Sequence, residues 1–311
     1  MMAVRRAAPL LLMTLLGIGC ERQTAAGAAA DTTAVRQELE QVLTTHYAAF
    51  EQGDVARWSD LMIDSVFLSA ADPTPSLYTR EAVREKMERE FGPARAAGIT
   101  LSIRPESHEI WVSNDGRSAA STYELNYVST YRNREYPVKL RSSILFERDS
   151  TVWKIAAAQY SRPLAKDTLF MAVMNGRIPS ALPADGSVSS AAGEVADQFR
   201  RDVADVSKAA LASNVVVVMP EGAAVGATAA RMALLEWLGR PGNATVASGI
   251  RSDLTPSHNT GYVACTLNVP IYAGPESGIA PIRALVIYHL KGKQWEIIQA
   301  HFSVGLPSRI S

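Results

Sequence analysis

Cysteine is scarce in this chain, and its scarcity limits the available covalent chemistry. The 311 residues include two cysteines, Cys20 and Cys265, so at most one disulfide can form within the chain. Cys265 alternates with Val263 and Leu267 in a run typical of a β-strand. This pattern predicts a small buried side chain rather than a catalytic thiol, which needs an electropositive and partly exposed setting.

An excess of charge of either sign is also missing. Lysine and arginine number 31, aspartate and glutamate number 31, and the formal net charge is zero. Such a chain has no overall field to attract a polyanion, and we find no basic tract or RNA-binding motif. We therefore expect no nucleic-acid partner. The histidines lack the close spacing of a metal site, so we predict neither a metal nor another cofactor.

A hydrophobic run long enough to span a bilayer is the third missing feature. Residues 7–18 are apolar except for Thr14, which is too short for a transmembrane helix. Two arginines precede this run, as in an export signal. Residues 16–20 resemble the bacterial lipobox, with Gly17 at the place where leucine is commonest. The resemblance implies cleavage before Cys20 and acylation of its side chain.

This beginning predicts where the protein resides. Residues 1–19 are interpreted as a signal peptide, and residues 20–32 as a small, polar tether. Each buried CH₂ of the acyl chains contributes about 0.8 kcal/mol, so several chains anchor a protein firmly. We expect an exported, membrane-anchored lipoprotein of the bacterial cell envelope, with the membrane as a partner through Cys20. The alternative is a soluble secreted or periplasmic protein.

An internal repeat is the strongest signal in the rest of the chain. Residues 141–161 and 283–303 align without a gap at a spacing of 142 residues, with arginine, tryptophan, isoleucine, alanine and serine recurring in register. The alignment matches Trp153 with Trp295. A repeat this long indicates duplicated domains and not a solenoid of short units.

The register changes upstream, where Asp54 matches Asp202 at a spacing of 148 residues, and the change predicts loops of different length. Prolines, a glycine and serines between the copies indicate a linker. The predicted organisation is a signal peptide at 1–19, a tether at 20–32, a first domain at 33–164, a linker at 165–190 and a second, divergent domain at 191–307.

Each copy places its helices before its strands. Apolar residues at helical spacing from Val35 to Phe50 predict an amphipathic first helix. Thr79 predicts the N-cap of a later helix that ends near Glu90. A turn at residues 114–116 separates two extended runs. Helices followed by an antiparallel sheet define an α+β fold.

The segments 46–54 and 114–119, together with Trp153 and Ser161, resemble the SnoaL-like branch of the nuclear transport factor 2-like superfamily. The resemblance covers about residues 33–163 and, more weakly, 191–306. It implies two tandem cone-shaped domains, in each of which N-terminal helices pack on a curved antiparallel sheet around a pocket.

The resemblance leaves several functions open, because this fold hosts isomerases, dehydratases, cyclases, hydrolases and non-catalytic binders. Ketosteroid isomerase has this fold, but at most one of its three catalytic roles finds a counterpart here, at His46. Our leading interpretation is a non-catalytic module that binds a small apolar molecule or a partner. An acid–base pocket enzyme in the first domain is the alternative. A third is structural, with the two domains paired sheet to sheet, and a homodimer is also possible.

The candidate site residues come mainly from the first domain, because the second offers mostly valine, alanine and leucine in the equivalent elements. The weak catalytic candidates are His46, Asp72 and Glu124. Strand alternation with Trp153 predicts that Gln159 and His301 point into the cones. The predicted ligand-binding residues are His46, Tyr47, Phe50, Trp58, Phe67, Tyr78, Gln159 and His301.

Lipidation of Cys20 is directly testable by mass spectrometry of the mature N-terminus. We expect a chain that begins at Cys20 and carries acyl groups. A mature chain that keeps Met1, or that has an unmodified Cys20, would contradict the lipoprotein prediction. A Cys20→Ser variant is the control, since it should remain unacylated.

Overall fold

The chain folds into two α+β parts, called here the first and second domain, which confirms the predicted fold class. The computed structural model describes residues 32–178, 193–239, 244–246, 250–273 and 275–306. The predicted signal peptide, the acylation site Cys20, the tether before Thr32 and the linker beyond residue 178 lie outside these ranges. No helix within the described ranges is long and apolar enough to cross a membrane.

The first domain begins with two helices and ends with four consecutive strands. In chain order its elements are α1 (Thr32–Gln52), α2 (Val55–Ser59), β1 (Met62–Ser69), α3 (Arg80–Ala96), β2 (Thr100–Val112), β3 (Ser118–Tyr131), β4 (Arg134–Asp149) and β5 (Val152–Ser161).

The second domain repeats this order, with shorter strands at its edge. Its elements are α4 (Lys166–Met174), α5 (Gly193–Ala204), a 3₁₀ turn (Val206–Lys208), β6 (Leu211–Val218), β7 (Ala223–Val225), α6 (Ala227–Leu238), β8 (Thr245–Val246), β9 (Arg251–Leu254), β10 (Thr260–Ala273), β11 (Glu276–Lys291) and β12 (Gln294–Ser303).

Both sheets have the same connectivity. The first has the order β1-β5-β4-β3-β2, and the second has the order β7-β6-β12-β11-β10-β8 with β9 also paired to β10. In each sheet the first long strand pairs in parallel with the last strand, whereas the later strands pair antiparallel as hairpins. The second sheet adds the short β7 at its edge.

Local sequence accounts for the buried face of α1 and for the start of α3. Helix α1 buries Leu39, Leu43 and His46 on one face, as its periodicity predicts. The Thr79 hydroxyl accepts a hydrogen bond from the Ala82 amide at 3.1 Å, so Thr79 is the N-cap of α3 as predicted. The helix then continues past its predicted end near Glu90 to Ala96.

The start of the linker is more ordered than its composition indicated. Residues 166–174 form helix α4, and this helix packs on β10 and β11. Leu169 and Phe170 are buried there. Because their side chains join the core of the second domain, this segment is part of that domain's packing.

The predicted match between Asp54 and Asp202 is wrong by three residues. Asp54 caps α2 by accepting from the Arg57 amide, and Asp205 is the residue that caps the following 3₁₀ turn in the second domain. Asp202 is buried instead, and its carboxylate accepts a hydrogen bond from the Tyr288 hydroxyl at 2.9 Å. The two copies differ in local length at this turn, so one gap-free spacing cannot align it.

A β-bulge in β5 changes which residues face the helices. Leu145 of β4 pairs with Ala157, whereas the next residue, Phe146, pairs with Ile155. Ala156 therefore has no partner of its own on β4. One extra residue exchanges the two faces of all the residues beyond it. The second sheet has the same irregularity in β12, at Ile298.

The outer faces of the two sheets pack against each other. Phe67, Leu145 and Ala157 of the first domain belong to the same buried cluster as the core of the second domain. The ring centroids of Phe67 and Tyr262 lie 6.1 Å apart. Apolar side chains from both sheets thus form one continuous interface.

Polar side chains cross this interface in a reciprocal pattern. The Gln159 amide donates to the His301 carbonyl at 2.9 Å and to the Ser303 hydroxyl at 3.0 Å. The His301 ring contacts the Ser161 hydroxyl at 2.7 Å and the Ser143 hydroxyl at 3.0 Å. Each partner thereby satisfies a group that would otherwise be buried without a hydrogen bond.

Two buried arginines at the repeat spacing complete the interface. Arg141 donates to the carbonyls of Met219, Pro220 and Glu221, at distances of 3.0, 3.3 and 2.9 Å. This loop follows β6, the first long strand of the second domain. Arg141 is 6% exposed, so its guanidinium depends on these acceptors.

Arg283 makes the matching contacts in the opposite direction. Its guanidinium donates to the carbonyls of Ala70 and Asp72 at 2.8 Å each and to that of Thr74 at 2.7 Å. These residues follow β1 of the first domain. Each domain therefore binds the loop after the first long strand of the other.

Trp153 provides a test of the core of the first domain. It is 3% exposed, and its indole donates to Glu38 at 2.9 Å. We expect Trp153→Ala to lower the free energy of unfolding by about 3–5 kcal/mol because it leaves a cavity. Urea denaturation measures this loss. The adjacent Val152 is 51% exposed, so Val152→Ala should change it by less than about 0.5 kcal/mol. Equal effects of the two substitutions would contradict the packing of Trp153.

The burial of His301 predicts that the folded protein loses stability at acidic pH. Burial, aided by the charge of Arg141, lowers the pKa of His301 to about 3, below its ordinary value of 6.5. Between these values the unfolded chain binds a proton that the folded chain does not, so stability falls as the pH falls through this window. The slope is at most about 1.4 kcal/mol per pH unit for one histidine. Denaturation midpoints at several pH values should therefore fall less steeply for His301→Gln than for the natural chain. Parallel slopes would contradict this prediction.

Candidate functional site

A cavity of about 440 Å³ lies in the first domain, between α1, α3 and the concave face of the sheet. Its volume is within the range of ordinary small-molecule sites. The apolar lining consists of Phe50, Leu68, Ala70, Ala71, Met87, Ile103, Leu125, Val138 and Leu140. The polar and amphipathic lining consists of His46, Tyr47, Trp58, Asp72, Lys86, Glu90, Tyr127, Tyr160 and Arg162.

Three of these side chains, His46, Trp58 and Tyr160, form a hydrogen-bonded group that we call the cavity floor. The Trp58 indole donates to Nε2 of His46 at 3.1 Å, and the Tyr160 hydroxyl lies 3.1 Å from the same nitrogen. An indole N–H can only donate, so Nε2 must be the unprotonated acceptor. The proton of a neutral His46 is therefore on Nδ1.

The floor has no proton that is easily lost or gained near neutral pH. Burial lowers the pKa of His46 to about 3. Burial also raises the pKa of Tyr160 well above its ordinary value. A neutral imidazole and a neutral phenol are therefore the stable forms of these two groups. Nδ1 of His46 is buried and has no hydrogen-bond partner among the residues that the structure describes.

A second polar group, centred on Lys86, lies at the other side of the cavity. Its ammonium contacts the carboxylates of Asp72 at 3.3 Å and Glu90 at 2.5 Å, and the Thr74 hydroxyl at 3.2 Å. Burial raises the pKa of Asp72, but the hydrogen bonds from Thr74 and the charge of Lys86 outweigh it and hold this pKa below its ordinary value. Asp72 is thus a stably ionised, paired carboxylate.

The structure brings together five of the residues that the sequence predicts as site residues. His46, Tyr47, Phe50, Trp58 and Asp72 all line the cavity. Four of them lie on α1 or on the adjoining α2, where helical periodicity is a reliable guide to the buried face. Asp72 lies in the loop after β1.

Gln159 and His301 do not point into the cones, so their predicted orientation is wrong. Both contact the opposite domain at the sheet interface, through the hydrogen bonds described above. The bulges at Ala156 and Ile298 shift the alternation by one residue, which places Gln159 and His301 on the outer face. Tyr160 faces the cavity in place of Gln159.

Three further candidates also lie outside the cavity lining. Phe67 and Tyr78 have ring centroids 5.9 Å apart and pack near the second domain, with Phe67 in the shared core. Glu124 pairs with Nε of Arg141 at 3.3 Å. It alternates along β3 with Tyr123, which belongs to the core beneath the helices, so its side chain leaves from the other face.

Sequence reasoning missed Tyr160, Lys86, Glu90 and Arg162. The spacing of Lys86 and Glu90 on α3 is the i,i+4 spacing of a helical ion pair, a signal that was available. Tyr160 and Arg162 offered no such signal, because their orientation depends on the bulge.

The described residues of the second domain nearly fill its cone. The space between α5, α6 and its sheet measures about 20 Å³. Phe199, Leu234, Tyr288 and Phe302 are among the side chains that occupy it. In the described ranges, no three histidine, cysteine, aspartate or glutamate side chains come together as a metal site would require.

Comparisons with known proteins match part of the chain. The sequence model of the SnoaL-like domain family matches residues 39–165. No curated protein matches the chain.

Two similar solved structures are an NTF2-like protein with a cystatin-like fold from Novosphingobium aromaticivorans and a putative dehydratase from the NTF2-like family from Streptomyces avermitilis. The first is 12% identical and has a TM-score of 0.38, over 42% of this chain and 83% of its own. The second is 17% identical and has a TM-score of 0.38, over 43% of this chain and 99% of its own.

The family match includes α1, the whole five-stranded sheet and every element that lines the cavity. The order of helices and strands in this part of the structure agrees with that match. The part of the chain from residue 39 to residue 165 is a SnoaL-like domain.

Proposed function

We propose that the first domain binds a small, largely apolar molecule that presents a carbonyl or a similar hydrogen-bond acceptor to the cavity floor. The observation that carries this proposal is the Tyr160 hydroxyl, which belongs to the cavity lining and lies 3.1 Å from Nε2 of His46, a nitrogen that already accepts from Trp58. A hydroxyl proton without an acceptor costs free energy, and an acceptor on a bound molecule would remove this cost.

The walls of the cavity favour an apolar body for this molecule. Phe50, Met87, Leu125 and Leu140 surround the space above the floor. Each 100 Å² of apolar ligand surface removed from water contributes roughly 2.5 kcal/mol. The rings of Phe50 and Trp58 lie 5.7 Å apart and meet edge to face, so a flat molecule has an aromatic surface to pack on.

The floor offers a donor rather than an acceptor. Nε2 of His46 has one lone pair, and Trp58 already donates to it. The Tyr160 hydroxyl competes for this lone pair, so its proton can turn towards a ligand oxygen. The Tyr160 hydroxyl is therefore a donor that the floor can offer to a ligand. This donor would select a molecule with an acceptor at its buried end.

The same groups favour binding over acid–base catalysis. An efficient general base has a pKa near the working pH, whereas burial lowers that of His46 to about 3. Asp72 lines the same cavity and is the observation in favour of the pocket-enzyme alternative, but Lys86 and Thr74 stabilise its ionised form. A paired carboxylate with a lowered pKa is a weak base at neutral pH.

The cellular setting of this binding is a further part of the proposal, and it follows from the sequence. An acylated Cys20 would hold the domains at the surface of a bacterial membrane. There they would capture apolar molecules in the cell envelope. The soluble secreted or periplasmic form remains the alternative, which the mass of the mature N-terminus decides.

A matched pair of flat molecules tests the proposed recognition. The full chain should bind 9-fluorenone more tightly than fluorene, which has the same rings without the carbonyl. Tyr160→Phe should weaken fluorenone binding roughly threefold to tenfold, the value of one hydrogen bond, and leave fluorene binding unchanged. Fluorescence titration or calorimetry measures both affinities.

Tyr136→Phe is the matched control, because Tyr136 is 49% exposed and absent from the cavity lining. It should leave both affinities unchanged. Equal affinity for the two molecules would contradict recognition of the carbonyl. Failure of the natural chain to bind either of them at their solubility limits would overturn the binding function.

A further inference from the structure

One side of the cavity is formed by a loop that the second domain holds. This rim loop, residues 69–76, connects β1 to α3, and Ala70, Ala71 and Asp72 line the cavity from it. The backbones of Leu68 and Leu77 close the loop through two hydrogen bonds, at 2.9 and 2.8 Å. Its own domain thus fixes the two ends of the loop and, through Lys86, the side chains of Asp72 and Thr74, but leaves the carbonyls in its middle to other contacts.

Arg283 of the second domain supplies those contacts. Its guanidinium binds the carbonyls of Ala70, Asp72 and Thr74, at 2.8, 2.8 and 2.7 Å. The three carbonyls belong to every second residue of the loop, and the planar guanidinium of Arg283 binds all of them. Arg283 is 3% exposed, so water cannot readily replace it as the donor.

The segment after β12 holds the same loop from the outside. The Leu306 amide donates to the Ala71 carbonyl at 3.1 Å, and Arg162 donates to the Leu306 carbonyl. A Cβ atom on Gly305 would lie 2.8 Å from both the Asp72 carbonyl and the Arg283 guanidinium. Glycine at this position therefore permits the close approach of the segment to the loop.

The position of the rim loop determines the position of the charged groups of Asp72 and Lys86 in the cavity. The carbonyl of Asp72 binds Arg283, and its carboxylate binds both Lys86 and the Thr74 backbone amide. A shift of the loop would therefore move the carboxylate, and Lys86 with it. Arg283 therefore contacts two residues of the cavity lining directly, Ala70 and Asp72.

We propose that Arg283 is a positioning residue for the ligand site, so that ligand affinity in the first domain depends on the second domain. The inference rests on the proposed binding function. Arg283 touches the rim loop and is absent from the cavity lining. Its effect on affinity would act through the shape of the rim.

Arg141 provides an unusually close control. It occupies the matching place in the first sheet, is similarly buried and also binds three carbonyls in the opposite domain. It differs in its additional ion pair with Glu124 of its own domain. The loop that it holds belongs to the second domain, whose cone has about 20 Å³ of space. Removing either guanidinium should destabilise the interface, but removing that of Arg283 alone should alter the ligand site.

The experiment compares Arg283→Met and Arg141→Met in the full chain, with 9-fluorenone as the probe and at a temperature where both variants are folded. We expect Arg283→Met to weaken fluorenone binding roughly tenfold or more, and Arg141→Met to change it less than about twofold. Thermal unfolding reports the stability of each variant. Arg283→Lys, which keeps the charge but lacks the planar fork, serves as the milder variant and should give an intermediate loss.

Hydrogen exchange provides a readout that needs no ligand. The amides of Thr74 and Leu77, which bond within the rim loop, should exchange faster in Arg283→Met and not in Arg141→Met. Unchanged affinity and exchange in Arg283→Met, or equal losses of affinity in both methionine variants, would overturn the inference. If the natural chain fails to bind fluorenone, the proposed function fails, and faster exchange confined to Arg283→Met would still support the control of the rim by Arg283.

Discussion

The extra residue in the last strand of each sheet determines how the rest of the structure is arranged. Up to Ile155, the inward side chains of β5 pack under the helices, and beyond Ala156 the opposite set does so. The bulge therefore delivers Tyr160 to the cavity and Gln159 to the interface with the second domain. Strand β5 thus contributes one polar residue to the cavity and another to the interface between the domains.

The two domains share one interface but have different interiors. Each domain donates to the other across it, Gln159 to the His301 carbonyl and Gln299 to the Ser121 carbonyl, and these bonds hold the two sheets together. The first domain keeps a large cavity, whereas the second fills its cone with residues such as Phe199 and Phe302.

Much of the fold followed from the sequence, because the helical stripe of α1, the Thr79 cap and the repeat at 142 residues are local or periodic signals. The cavity residues on α1 and α2 followed for the same reason. Residues beyond the bulge could not be placed, since the choice of Ala156 as the extra residue depends on pairing with two neighbouring strands. Phe67 and Tyr78 were misplaced because only the packed second domain shows what covers them.

The reciprocal arginines have a consequence for how such a protein can change. In a symmetric homodimer of one domain, a single arginine would make both contacts, and any substitution would occur on both sides of the axis. Joining the two copies in one chain removes that coupling. Arg141 and Arg283 can retain the shared geometry while the residues around each cone vary separately. Each half of the chain can therefore change without a matching change in the other.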